Sequence, residues 1–546
     1  MSLTEAADGA AVVYVTQMSH TLLGLLLAPL LLSAQESTQS RLRADLTFLA
    51  SPALEGRLSL QRGSEVAIHW IASEFAKAGL EPAGGGSFLQ EMTLVEYRRD
   101  NRETLLVVES GGKKRRYEPN KGFSGAFPRD VTVRAPAVFA GYGITAPEFG
   151  YDDYAGLDAR GKIVIVFDHE PQEGDPASVF NGVGNTRHAS SRLKALNAQR
   201  HGAEAVLVAS EPNRKHPSNE ERRARIPTRP ERERRLLPQA LADSEIRIPL
   251  FTLDDEPARE LLAATGRRAS ELQRRIDETL QPSSQPLAET IVELRYVNAE
   301  ARRAGTANVI GLLEGSDPAL KAETIVYSAH YDHDGTGDGN LYAGADDNGS
   351  GTVAVVELAR VFARSAARPR RSILFAVFAA EERGLLGSYH YIANPMRPLA
   401  STRAVINFDM IGRNETPSRQ TDGLMRIDAD TSEELNLIGT IHSADYRRIV
   451  ERENRQVGLR LNYKWDEDAA LNIYQRSDQF PFSLHAIPAV WWFTGFHPDY
   501  HQVTDTVEKI NFAKMEKIVR LAYLAGLAMA NDGEVPRFES NPRRVR

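Results

Sequence analysis

From about residue 295 onward the chain alternates short, unbroken apolar runs with longer segments whose apolar positions recur at helical spacing. "ETIVYSA" (323–329), "RSILFAVFAA" (371–380), "RAVINF" (403–408) and "IPAVWWFT" (487–494) read as strands buried on both faces. "GSGTVAVVELARVFARS" (349–365), "GLLGSYHYIAN" (384–394) and "NFAKMEKIVRLAYLAGLAMAN" (511–531) read as helices between and after them. Continuous apolar strands alternating with helices predict an α/β fold: a mostly parallel, mixed sheet with helices on both faces. In such sheets ligands gather at the carboxyl ends of the strands.

The upstream pattern has a different texture. "RADLTFLASPALEGRLS" (43–59) and "GSEVAIHWIASEFAKAGLEPAGG" (63–85) read as helices, the second stopped by its Gly-Leu-Glu-Pro end. Short β-rich runs follow, "RAPAVFAGYGI", "GKIVIVFDHE" and "GAEAVLVAS", broken by Gly, Pro and Asp. A helix, "SSRLKALNAQRHG", separates two of them, and "RIPLFTLDDEPARELLAATG" closes the region with a strand and a helix. The pattern divides the chain into a leader (1–34), a first part of the main domain (35–127), an inserted β-rich domain (128–290) and the main α/β domain (291–546). The mixed-sign charged run 213–235 reads as a solvated arm, since three prolines interrupt it.

Composition narrows the chemistry. The chain has 546 residues, 42% hydrophobic and 25% charged, ordinary for a globular protein. A net charge of -7 argues against broad nucleic-acid binding. With no cysteine, disulfides, thiolate metal sites and a cysteine nucleophile are excluded. Any metal is held by His, Asp and Glu. Residues 22–34, "LLGLLLAPLLLSA", are too short to span a bilayer and have the length of a signal-peptide core. They predict an extracytoplasmic protein, periplasmic or secreted, with no stable membrane anchor after cleavage. The run before them departs from the usual pattern in lacking Lys and Arg. Oligomeric state is left open.

"FAAEERGLLGS" (378–388) poses the central question, because Glu381 and Glu382 stand together where a buried strand ends. Carboxylates so close to a core are costly unless paired or bound to a metal. His330, Glu382, Asp409 and His501 each follow a candidate strand, and Asp347 lies in the loop "AGADDNGSG" before a helix. Singly, each has an ordinary explanation as a solvated or capping residue; together they converge on one sheet edge. Three carboxylates and two imidazoles suit two zinc ions, with one carboxylate bridging. One glutamate of the pair then ligates, and the other is placed as a general base. Asp346 competes with Asp347 as the bridge on residue type alone. His333, Asp334 and Asp338 read as a solvated acidic loop.

"SAHYDHDG", "AGADDNGSG", "FAAEERGLLGS", "INFDMIGRN" and "HPDYHQVTDT", in that order, resemble the zinc aminopeptidase family related to glutamate carboxypeptidase and the transferrin receptor. The likeness covers roughly 295–530, and the inserted region resembles a protease-associated domain. The resemblance implies two Zn2+ ions: one on His330 and Asp409, the other on Glu382 and His501, with Asp347 bridging. It implies Glu381 as general base, Asp332 as the carboxylate orienting His330, and Tyr500 as a group that steadies the tetrahedral intermediate. It also implies a strained, even cis, peptide between Asp347 and Asn348. The activity expected is that of a di-zinc aminopeptidase acting on peptide substrates. The alternatives are a carboxypeptidase of the same fold, a single-zinc glutaminyl cyclase-like transferase, and a receptor-like binding protein without metal. Trp491 and Trp492 fall on one strand, so at least one of them belongs to the core.

Overall fold

The computed structural model describes residues 38–180, 185–214, 216–221, 236–421, 424–467, 473–533 and 535–540. The expected leader and most of the charged 213–235 run lie outside the described residues.

Four apolar strands form the centre of a ten-stranded sheet. Thr324–His330 runs parallel to Ser372–Phe378 on one side and to Thr402–Phe408 on the other; Ala489–Phe493 runs parallel to Thr402–Phe408. All residues of Thr324–His330, Ser372–Phe378 and Ala489–Phe493 are buried, which is why no period of two shows in their sequence. Register brings His330 opposite Phe378, and Phe408 opposite Trp492, so the carboxyl ends of all four strands are level. Outside this parallel core the sheet is mixed. Glu434–Ile438 pairs antiparallel with Ala489–Phe493, and Asn298–Leu313 pairs antiparallel with both Ser372–Phe378 and Leu89–Arg99.

Helices Arg62–Lys77, Gly351–Arg364 and Phe512–Asn531 supply the main core against one face. The closing helix needs Gly526, because a Cβ there would meet Tyr327 Oη at 1.7 Å. That hydroxyl donates to Ala522 O at 2.7 Å, fixing the helix on the strand it covers. Helices Leu386–Ala393 and Gln479–Leu484 lie against the other face, where Tyr391 and Phe482 pack on Phe378. Each fully buried Leu, Ile, Val or Phe contributes about 1.5–3 kcal/mol.

The inserted region forms a closed barrel whose strands run from Leu105–Ser110 to Gln285–Tyr296. This is wider than the expected 128–290. Leu105–Ser110 pairs with Gln285–Tyr296 and Lys113–Pro119 pairs with Leu105–Ser110, so residues 105–124 belong with the barrel rather than with the first part of the main domain. The sequence hid this boundary because Lys113–Pro119 exposes most of its charged residues and carries no apolar alternation. One short strand from the insert, Gln239–Leu241, leaves the barrel and joins the main sheet beside Leu89–Arg99. Helix Ser191–Arg200 also meets the main α/β domain: Leu193 belongs to one buried cluster with Leu385, Met410 and Trp491, and the Arg192 guanidinium stacks 3.7 Å over Tyr389. Among the described residues, no helix is long and apolar enough to cross a membrane.

Candidate metal centre

The level ends of the parallel strands deliver the expected residues to one place. His330 is the last residue of its strand, and Asp409 directly follows Phe408. Glu381 and Glu382 begin a single 3-10 turn three residues beyond Phe378. Asp347 comes from the turn leading into helix Gly351–Arg364, and its peptide to Asn348 is cis, as the resemblance implied. His501 arrives from the loop after Ala489–Phe493, across 171 positions of sequence from His330.

Asp347 lies at the middle of the group. Its Oδ1 is 3.5 Å from His330 Nε2, which is itself 3.5 Å from Asp409 Oδ1. Its Oδ2 is 3.1 Å from His501 Nε2, which is 3.4 Å from Glu382 Oε2. Each oxygen of one carboxylate thus faces a separate His–carboxylate pair. Ligand atoms around a tetrahedral zinc stand about 3.3 Å apart, since each bond is about 2.0–2.1 Å. The observed separations match that spacing. Glu381 Oε2 lies 3.8 Å from His330 Nε2, beside the first pair but outside the set of five.

Electrostatics make the same place receptive to cations. Burial alone pushes the His330 imidazole down, but the carboxylates of Glu381 and Asp409 reverse this and hold it well above its ordinary value. Burial and the facing Asp409 and Glu382 carboxylates push Glu381 well up, against the pull of His330. Burial, with Asp334 and Asp332 nearby, brings Glu382 up to about 7 although His501 and His330 oppose it. Among the described residues, the buried His330 Nε2 finds no hydrogen-bond partner. A buried excess of carboxylate around an unpartnered imidazole nitrogen suits bound zinc, so the donor set fits the metal. A cavity of about 270 Å³ opens over this group, lined by Glu381, Asp409, Arg476, Trp491 and Tyr500 among others.

The supporting shell differs from expectation at several points. The Asp332 carboxylate does not hold His330. The Asp332 backbone carbonyl is the group 3.1 Å from His330 Nδ1, while its carboxylate accepts the N–H of Glu381 at 3.0 Å and of Glu382 at 3.3 Å. A two-residue offset at the end of a strand turns that side chain beneath the neighbouring turn, so Asp332 positions the paired glutamates. His333 and Asp334 are buried rather than part of a solvated loop; Asp338 is exposed. Asp334 Oδ2 lies 2.9 Å from His501 Nδ1, which makes it the carboxylate that orients an imidazole here. His333 Nδ1 donates to Glu382 Oε1 at 2.9 Å, and burial pushes that imidazole down to about 4, so it is neutral.

Asp346, the rival bridge, turns away from the centre. Its Oδ1 accepts Gly412 N–H at 2.6 Å, and its Oδ2 lies 3.2 Å from His497 Nε2. Asp505 accepts the backbone N–H groups of both Asp346 and Asp347 at 3.0–3.1 Å. Trp492 is core, whereas Trp491 lines the cavity and donates its indole N–H to Asp409 O at 2.8 Å. Tyr500 lines the cavity with its ring against His501, and burial pushes its phenol up to about 12, so it keeps its proton. The largest omission from the sequence reading is Arg57. Fully buried, it donates to Tyr331 O, Leu49 O, Ala343 O and Gly344 O at 2.6–2.9 Å. It therefore ties together the loops that follow His330 and precede Asp347.

Residues 308–525 match Peptidase family M28, and residues 131–230 match the PA domain. A probable leucine aminopeptidase of Trichophyton verrucosum is 30% identical over 233 residues, 41% of this chain and 58% of that protein. Aminopeptidase YwaD of Bacillus subtilis is 27% identical over 293 residues, 52% of this chain and 48% of that protein. The chain thus spans about half the length of these curated relatives. Among solved structures, an aminopeptidase from Aneurinibacillus sp. strain AM-1 aligns over 92% of this chain and 95% of its own, at 18% identity and a TM-score of 0.43.

Proposed function

This chain carries a family M28 peptidase domain with an inserted PA domain, and from that premise we propose that it is a di-zinc aminopeptidase removing N-terminal residues from peptides. The observation that carries the reading is Asp347, whose two oxygens each face a separate His–carboxylate pair. His330 and Asp409 would hold one ion, Glu382 and His501 the other, with Asp347 shared. Bound zinc supplies Lewis acidity, which activates water and polarises the scissile carbonyl.

The chain's own residues do the rest. Glu381, buried at the edge of the cavity and raised in proton affinity, takes a proton from the attacking water and delivers it to the leaving amine. Asp332 holds the turn that aims that carboxylate. The protonated Tyr500 phenol presents an O–H to the oxygen on which negative charge develops. Asp334 fixes the ring of His501, and Trp491 fixes the carbonyl of Asp409. The apolar 22–34 run supports work outside the cytoplasm.

A second reading has one observation in its favour. Arg476 lines the cavity, with Nη2 3.4 Å from Tyr500 Oη, and a basic group there suits a carboxypeptidase that grips a terminal carboxylate. A panel of aminoacyl chromogenic substrates, compared with N-blocked peptides, separates the two. The aminopeptidase reading expects turnover of free-amine substrates only. Cleavage of N-blocked peptides from the C-terminal end would replace it with the carboxypeptidase.

A further inference from the structure

Two parallel barrel strands, Ile163–Phe167 and Ala205–Ala209, run side by side with Phe167 opposite Ala209. Two residues beyond each of those partners stand His169 and Glu211, so matched strand exits place an imidazole and a carboxylate together. The loops that follow add Glu173 and His216. Ligand atoms of all four lie within 4.8 Å of one another. His169 Nδ1 is 2.9 Å from Glu211 Oε1, and His216 Nε2 is 2.6 Å from the same oxygen and 3.1 Å from Glu173 Oε2. None of these residues belongs to the peptidase centre.

Two further observations point to a ligand. Glu211 is 2% exposed and directs its carboxylate at both imidazoles, yet its Oε2 has no hydrogen-bond partner among the described residues. His216 Nδ1 lies 3.0 Å from the Pro217 carbonyl, which only accepts, so Nδ1 carries the hydrogen. Burial opposes a charge on this imidazole, but hydrogen bonds to Glu173 and Glu211 outweigh it and raise the ring to about 10, so without an ion a proton sits on Nε2 between the two carboxylates, in the place a metal ion would take.

We propose that His169, Glu173, Glu211 and His216 form a second metal site, in the barrel, that takes a divalent transition ion of the zinc class. Two imidazoles and two carboxylates make a tetrahedral donor set suited to zinc. Ligand atoms now 2.6–3.1 Å apart would open to about 3.3 Å around such an ion, a shift of well under an ångström. Glu173 and His216 are only half-buried, so the site is reachable from solvent. The ion joins the loops leaving two adjacent strands, a structural role that turnover does not need.

The test uses the full-length protein, stripped of metal, reloaded with zinc alone and desalted. Zinc content is compared between the natural chain and the His169→Ala/His216→Ala double variant. The expected result is one zinc fewer per chain in the variant, with peptidase turnover unchanged. The difference is what counts, so the result stands whatever the peptidase centre holds. The milder variant His216→Gln is measured alongside as a guard against misfolding, with circular dichroism as the check. Cobalt(II) substitution should show a tetrahedral absorption band in the natural chain that weakens in both variants. Equal zinc content in all three proteins, with an unchanged cobalt spectrum, would leave a protonated His216 paired with two carboxylates and overturn the proposal.

Discussion

Arg57→Met should unseat the peptidase centre from a distance. The guanidinium is wholly buried and donates to four backbone carbonyls, three of them on the segments flanking the metal-facing residues. Burial pushes it down to about 10, so it is charged at neutral pH. Methionine fills much of the volume but removes the donor of Tyr331 O, Leu49 O and Ala343 O, while Gly344 O keeps the Gly349 N–H at 3.1 Å. Hydrogen bonds to charged groups are worth about 1.5–3 kcal/mol each, and removing a buried charged partner costs about 3–5 kcal/mol in total because the losses overlap. Arg57→Lys retains the charge but not the fork, and should cost less. All four tryptophans, at 70, 465, 491 and 492, lie outside the barrel strands, so their fluorescence follows the peptidase domain. Urea unfolding monitored this way should show Arg57→Met least stable and Arg57→Lys between it and the natural protein. A change below about 0.5 kcal/mol for Arg57→Met, the range of an ordinary surface substitution, would refute the reasoning.

Three further outcomes follow from the same geometry. Asp334→Asn loses the carboxylate that faces His501 Nδ1, and zinc affinity or turnover should fall about 10–100-fold; a metal titration showing no change would remove Asp334 from the support of the site. Glu381→Gln should retain its zinc while turnover drops about 10²–10⁴-fold, whereas Glu382→Gln should lose zinc and partly recover in excess metal; the reverse pattern in metal content would exchange the roles of the pair. Arg192→Ala removes the guanidinium over Tyr389, a contact worth about 0.5–2 kcal/mol, and should change kcat/KM for long peptides more than for dipeptides; equal effects on both would deny the barrel a part in substrate selection.

Much of the centre was legible because its residues sit where strands end. Unbroken apolar runs identified the four parallel strands, and the polar residue after each run marked the same edge of the sheet. Residue type alone did not separate Asp347 from Asp346, and only the resemblance preferred Asp347; in the structure Asp346 turns to Gly412 and His497 while the two oxygens of Asp347 face His330 and His501. Asp334 and His333 read as solvated because polar residues in series resemble a surface loop; their burial comes from contacts with Glu382 and His501, distant in sequence. Arg57 gave no signal at all, standing in a Gly-containing turn that looked like a helix end. The start of the barrel was missed for a related reason. Lys113–Pro119 is a strand by pairing rather than by pattern, with its charges in solvent.

Anomalous diffraction at the zinc edge, on crystals of the zinc-loaded protein, tests the central claim most directly. The account predicts two peaks flanking Asp347, about 3.5–4 Å apart as in two-metal sites. One should lie against His330 and Asp409, the other against Glu382 and His501, with Glu381 bound to neither. A single peak, or a peak ligated by Glu381, would contradict it.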